Sequence, residues 1–182
     1  MHIVSTNLAQ PFSFEWNGET VESGIYKCPV STPLELQKGG VVGDKVVDLR
    51  VHGGPEKACY LYSEDHYPEW QALYPNLEWQ AGMFGENLTV AGLNETQTRI
   101  DDVFQVGTAK VQVSAPRQPC FKLGMRFGNM EVLRQFVKKG KPGAYIRVLT
   151  PGKVQVGDAF QLLETNPEKP TLEAVHWQKF RR

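Results

Sequence analysis

Cys120 ends the run Pro116-Arg117-Gln118-Pro119-Cys120, which follows an apolar stretch. Two prolines stiffen this segment and deny it regular pairing, so a thiol here is presented in a preset orientation. Arg117 is a permanent cation close by in the chain, and a cation favours a thiolate. A thiolate can ligate a soft or high-valent metal, or act as a nucleophile. A buried Cys serving as a small hydrophobe is the competing reading, and the proline-flanked setting puts the two about level.

Four other segments carry reactive or binding types. Arg50-Val51-His52-Gly53-Gly54-Pro55 places a His before consecutive glycines, which allow positive φ or close approach to a ligand. Gly82-Met83-Phe84-Gly85-Glu86-Asn87-Leu88 offers Asn87, whose amide has both a donor and an acceptor suited to a heterocycle edge. A turn that merely needs Gly and Asn explains both segments equally well. Tyr26-Lys27-Cys28-Pro29-Val30 and Gly43-Asp44-Lys45 supply Lys27 and Lys45, point charges for a phosphate. Cys28 and Cys59 lie inside apolar strand patterns and read as packing residues. No C-x-x-C or H-x-x-x-H spacing supports a zinc site, and there is no P-loop, G-x-G-x-x-G or nucleophile elbow. A Cys–His hydrolase using Cys120 and His52 stays open.

The elements that must hold these residues are mostly short. Phe12–Trp16, Asn17-Gly18 and Glu19–Glu22 form the strongest hairpin signal in the chain. Further strands are expected at Ile25–Val30, Pro33–Leu36, Val46–Val51, Ala58–Tyr62 and Ala144–Leu149. Val103–Gly107 with Ala109–Ala115, and Val154–Asp158 with Ala159–Leu163, read as two more hairpins around Gly-led turns. One helix is expected between Ser63 and Tyr74, capped by Ser63 or starting at Pro68. A second runs over Met130–Lys138, capped by Asn129 and stopped by Gly140. Many short strands and few helices predict a mainly β fold, a closed or nearly closed β-barrel, over residues 1–164. Residues 165–182 form a tail in which Thr171–Phe180 suits one short helix.

With 182 residues the chain suffices for one domain with a sizeable core. Lys plus Arg equal Asp plus Glu at 20 each, which speaks against nucleic-acid or anionic-membrane binding. No run approaches the ~20 apolar residues of a membrane span, and Met1–Gln10 is not a signal peptide. Three Cys make no disulfide framework, so a reducing cytoplasm is expected.

The ordered set Lys27-x-Pro29-Val30, Gly43-Asp44, His52-Gly53-Gly54, Gly85-Glu86-Asn87 and Pro116-Arg117-Gln118-Pro119-Cys120 resembles the MOSC domain, also found at the C-terminus of molybdenum-cofactor sulfurases. The match is most similar to the small stand-alone bacterial type and runs from about Gly24 to Leu163. That resemblance implies a β-barrel holding a molybdopterin cofactor (molybdenum cofactor), with Cys120 as the metal ligand. It implies pterin contacts from His52, Asn87 and Arg117, and a terminal phosphate on Lys27 and Lys45. It further implies reduction of N-hydroxylated compounds, such as hydroxylamino-purines and amidoximes, with electrons from a partner reductase. A non-catalytic carrier of the cofactor or of sulfur is the alternative. The stand-alone type often continues into a small helical domain, where the tail here has room for one helix.

Overall fold

The computed structural model describes residues 1–10, 12–45 and 53–180. The first strands are β1 (His2–Ala9), β2 (Phe12–Trp16), β3 (Glu19–Ser23), β4 (Lys27–Val30), β5 (Leu34–Gln37) and β6 (Gly40–Val41). Then come β7 (Cys59–Ser63), α1 (Tyr67–Leu73), β8 (Leu88–Ala91), β9 (Val103–Val106) and β10 (Ala109–Pro116). The chain continues through α2 (Phe121–Phe127), α3 (Glu131–Lys139), β11 (Ala144–Thr150), β12 (Gly152–Val154), β13 (Gln161–Glu164) and α4 (Leu172–Phe180). The expected strand Val46–Val51 falls outside the described residues. Among those described, no helix is long and apolar enough to cross a membrane.

The main sheet has the order β13-β9-β10-β11-β7-β8-β1-β4. Among the described residues its one parallel pairing is β7 with β8, in register Leu61↔Leu88. The fold is mainly β, as expected, but the sheet curls into a half-barrel and does not close, which corrects the expectation of a closed or nearly closed barrel: β13 and β4 remain its edges. A physical reason lies in both edges. Pro29 removes an N–H from β4. β13 is short and exposed along its whole length.

Val154–Asp158 and Ala159–Leu163 do not form the expected hairpin. β12 pairs with β5, and β13 pairs with β9. The connection instead runs along the N-terminus: Gly157 N–H donates to Ile3 O, Ile3 N–H to Asp158 O, and Phe160 N–H to Met1 O. Main-chain partners from Met1–Ile3 thus pull the two strands into different sheets.

The β2–β3 hairpin forms as its sequence dictates. Asn17 and Gly18 have φ of 51° and 80°, the left-handed pair that a tight two-residue turn needs. α3 is also as expected, with the Glu131 N–H donating to Asn129 Oδ1 at 2.9 Å and Gly140 left-handed at its end.

All five residues of β7 are buried. Alternation sends Cys59 and Leu61 into an aliphatic core with Ile3, Leu36, Val90, Val111 and Ile146. It sends Tyr60 and Tyr62 the other way, into an aromatic core with Trp70, Phe84, Phe127 and Phe136. β7 is therefore the wall shared by both cores, and Tyr60 on it also reaches the site.

Candidate functional site

β10 ends at Pro116, and residues 117–120 cross from it to α2. Cys120 is extended, with φ −128° and ψ 169°, and immediately precedes the first turn of α2, where Leu123 N–H donates to Cys120 O. The thiol is half-buried and free of any disulfide. It lies on a cleft of about 650 Å³, counted to its open mouth, together with Lys27, Asp44, Asn87, Arg117 and Tyr145.

Arg117 is 4% exposed. Its guanidinium lies over the Tyr60 ring at 4.7 Å and donates to the Phe84 carbonyl. Its buried Nε has no hydrogen-bond partner among the described residues. Burial alone would lower the guanidinium pKa. The phenols of Tyr60 and Tyr145 and the Cys120 thiol outweigh that and hold it above its ordinary value. Arg117 is therefore a permanent cation in the wall beside the thiol.

Asp44 ties the opposite wall together. Its carboxylate accepts from Lys27 Nζ at 2.5 Å, Asn87 Nδ2 at 2.8 Å and the Ala9 N–H at 2.8 Å. Asn87 is further held by the Tyr60 N–H donating to its Oδ1 at 3.3 Å. The amide of Asn87 is thus engaged within the protein, and Lys27 is one half of a buried ion pair. Beneath them Glu86 is fully buried. It accepts from Tyr67 Oη, from Thr89 Oγ1 at 2.9 Å, and from the N–H groups of Gly82 at 2.9 Å and Phe84 at 3.0 Å. Burial raises its carboxyl pKa above the ordinary carboxylate value, against the pull of those donors. Glu86 closes the 82–87 loop and so sets the position of Asn87.

Lys27, Lys45, Asn87, Arg117 and Cys120 therefore come together around one cleft. His52 lies outside the described residues, while its neighbour Gly53 lines the cleft with φ 97°. Cys28 and Cys59 stand apart from the Cys120 thiol: Cys59 is in the aliphatic core, and Cys28 Sγ accepts from Gln80 Nε2 at 3.5 Å. Asp44, Tyr60, Lys122 and Tyr145 were missed as site residues. Asp44 sat inside the Gly-Asp segment already singled out. The tyrosines carried only a strand alternation, which does not say which face meets a cleft. Among the described lining residues, Lys27, Lys45, Lys57, Arg117 and Lys122 face a single acid, Asp44. The lining of this cleft thus carries an excess of positive charge in a chain of zero net charge.

The MOSC domain model matches residues 48–161, and the chain belongs to that family. It is 43% identical over 161 residues to YflK of Bacillus subtilis, covering 88% of this chain and 72% of that protein. It is 36% identical over 150 residues to a protein of Gibberella moniliformis named Reductase, covering 81% of this chain and 27% of that longer one. Its fold matches the crystal structure of YiiM from Geobacillus stearothermophilus with a TM-score of 0.80 at 31% identity, over 98% of this chain and 83% of that one.

Proposed function

We propose that the chain binds a molybdenum cofactor through Cys120 and reduces N-hydroxylated compounds with electrons from a partner reductase. The observation that carries this reading is the half-buried Cys120 thiol on a cation-lined cleft, with the Arg117 guanidinium buried beside it and its Nε unpartnered among the described residues. Among those residues no cluster of His, Cys, Asp and Glu could hold a metal ion alone. A metal here must bring other donors with it, and a dithiolene-bearing pterin does so. Its anionic phosphate suits a wall carrying Lys27, Lys45 and Arg117, so the residues present fit the group.

In this reading Cys120 binds the metal. Arg117 places a fixed positive charge beside Cys120 and is itself held in place by Tyr60 and the Phe84 carbonyl. Asp44 fixes Lys27 and Asn87 in the cleft wall, where they would border the rest of the cofactor. The buried Tyr60 and the partly buried Tyr145 keep bulk water from that wall. When bound, the cofactor would supply two-electron exchange. Reduction of an N–OH group takes two electrons and two protons, breaks the N–O bond and releases the oxygen as water.

The test is elemental analysis of protein made in a host competent for the cofactor, followed by turnover with an artificial electron donor. Wild type is expected to hold about one molybdenum per chain and Cys120→Ala to hold almost none. Equal molybdenum in both defeats the assignment of Cys120. Molybdenum without turnover assigns the chain as a carrier of the cofactor instead.

A further inference from the structure

The β2–β3 hairpin is a two-stranded sheet of its own, outside the main sheet. Its inward face carries Phe12, Phe14 and Trp16. Phe12 lies on Tyr26 at 3.9 Å, and Trp16 stacks on Phe121 at 5.1 Å. Phe121 stands between Cys120 and Lys122, and both of these line the cleft. At the base of the hairpin, Ser23 and Gly24 line the cleft too. The hairpin thus spans from the cleft wall to the start of α2. Among the described residues, two polar contacts through Glu22 hold it there. The carboxylate pairs with Lys45 at 3.0 Å, with side chains 56% and 46% exposed. The Glu22 carbonyl accepts from Lys122 Nζ at 3.3 Å. Both lysines belong to the cation lining of the cleft.

We propose that the β2–β3 hairpin is a flap clasped across the cleft mouth by Glu22, and that a phosphate group entering the cleft releases it by drawing Lys45 and Lys122 away. A phosphate would compete with the Glu22 carboxylate for the Lys45 ammonium and with the Glu22 carbonyl for the Lys122 ammonium, and it would repel the carboxylate. An exposed ion pair contributes little, and an isolated hairpin is marginal by itself, so exchanging one partner for another is enough to shift the balance. The flap would admit a phosphate-bearing ligand and re-clasp without it. This stands apart from the metal reading, because inorganic phosphate alone tests it.

The experiment is hydrogen–deuterium exchange of the amides in residues 12–23, in inorganic phosphate and in sodium chloride of equal ionic strength. Wild-type flap amides are expected to exchange about two- to five-fold faster in phosphate, the factor an exposed ion pair supplies. Glu22→Gln is expected to exchange faster already in chloride and to respond less to phosphate than wild type, since its main-chain carbonyl keeps Lys122. Unchanged amides in β10 and β11 report that a variant is folded, and Lys122→Gln serves as the second variant with the same expectation. Wild-type flap amides that are unmoved or slowed by phosphate overturn the proposal. So does a Glu22→Gln protein that matches wild type in both salts.

Discussion

Lys27 and Asp44 sit 2.5 Å apart, with side chains only 6% and 4% exposed. The pair at Lys45 and Glu22, by contrast, is 46% and 56% exposed. Desolvation separates the two. A buried pair that loses one partner leaves an uncompensated charge, whereas an exposed pair is replaced by water. Asp44→Ala is expected to destabilise the fold by about 3–5 kcal/mol, because Lys27, Asn87 and the Ala9 N–H all lose their acceptor. Glu22→Ala is expected to cost under about 1 kcal/mol. Urea unfolding of the two variants beside wild type measures both; similar losses would show that Asp44 is no keystone. The sequence made Lys27 and Lys45 look alike as phosphate partners. Only burial tells them apart, and burial depends on strands far away in the chain.

Among the elements, the 82–87 loop shows how much one turn can carry. Gly82 has φ 86°, and a Cβ there would lie 2.8 Å from the Lys27 carbonyl. Its N–H donates to Glu86 Oε1 at 2.9 Å. Gly82→Ala is expected to cost about 1–3 kcal/mol through backbone strain and to push Lys27 aside. Gly39 has open space around it, and Gly39→Ala is expected to stay within about 0.5 kcal/mol of wild type. Thermal unfolding of both variants reads the contrast, and an unaffected Gly82→Ala would sink it. Local signals foretold the β2–β3 hairpin and α3 because their turn and cap residues act on immediate neighbours. They missed β1, α2 and β8. Of these, β1 and β8 are interior strands of the sheet, paired with each other, and β8 is nearly buried throughout. α2 spans only Phe121–Phe127 and gains its place by packing Leu123 and Phe127 into the aromatic core.

Across the whole molecule, that aromatic core controls the response to alkali. Tyr60, Tyr62 and Tyr67 all have pKa values held well above the usual 10.0, chiefly because burial disfavours the phenolate. The sign follows directly. The folded state holds these protons more tightly than the unfolded chain, so their contribution is complete below about pH 10 and is lost as pH rises toward the folded values. Unfolding above that pH is expected to be cooperative, with the buried tyrosines ionising together as the structure opens. Absorbance near the phenolate band and circular dichroism, followed against pH, check this. Gradual ionisation of all tyrosines with the circular dichroism unchanged would contradict it.

The sequence by itself determined the proline-flanked thiol, the Asn17-Gly18 hairpin, the capped α3, the mainly β character and the family. Each depends on residue type at close spacing, where φ preferences and short-range hydrogen bonds act. The packed fold was needed to show that the sheet curls without closing, that β12 and β13 part company, and that Asp44 ties Lys27 and Asn87 into one wall of the cleft that Arg117 and Cys120 share. Those outcomes require strands from distant parts of the chain to choose partners and faces together. That choice is made by burying two cores on opposite sides of β7, a collective packing energy that no local segment carries.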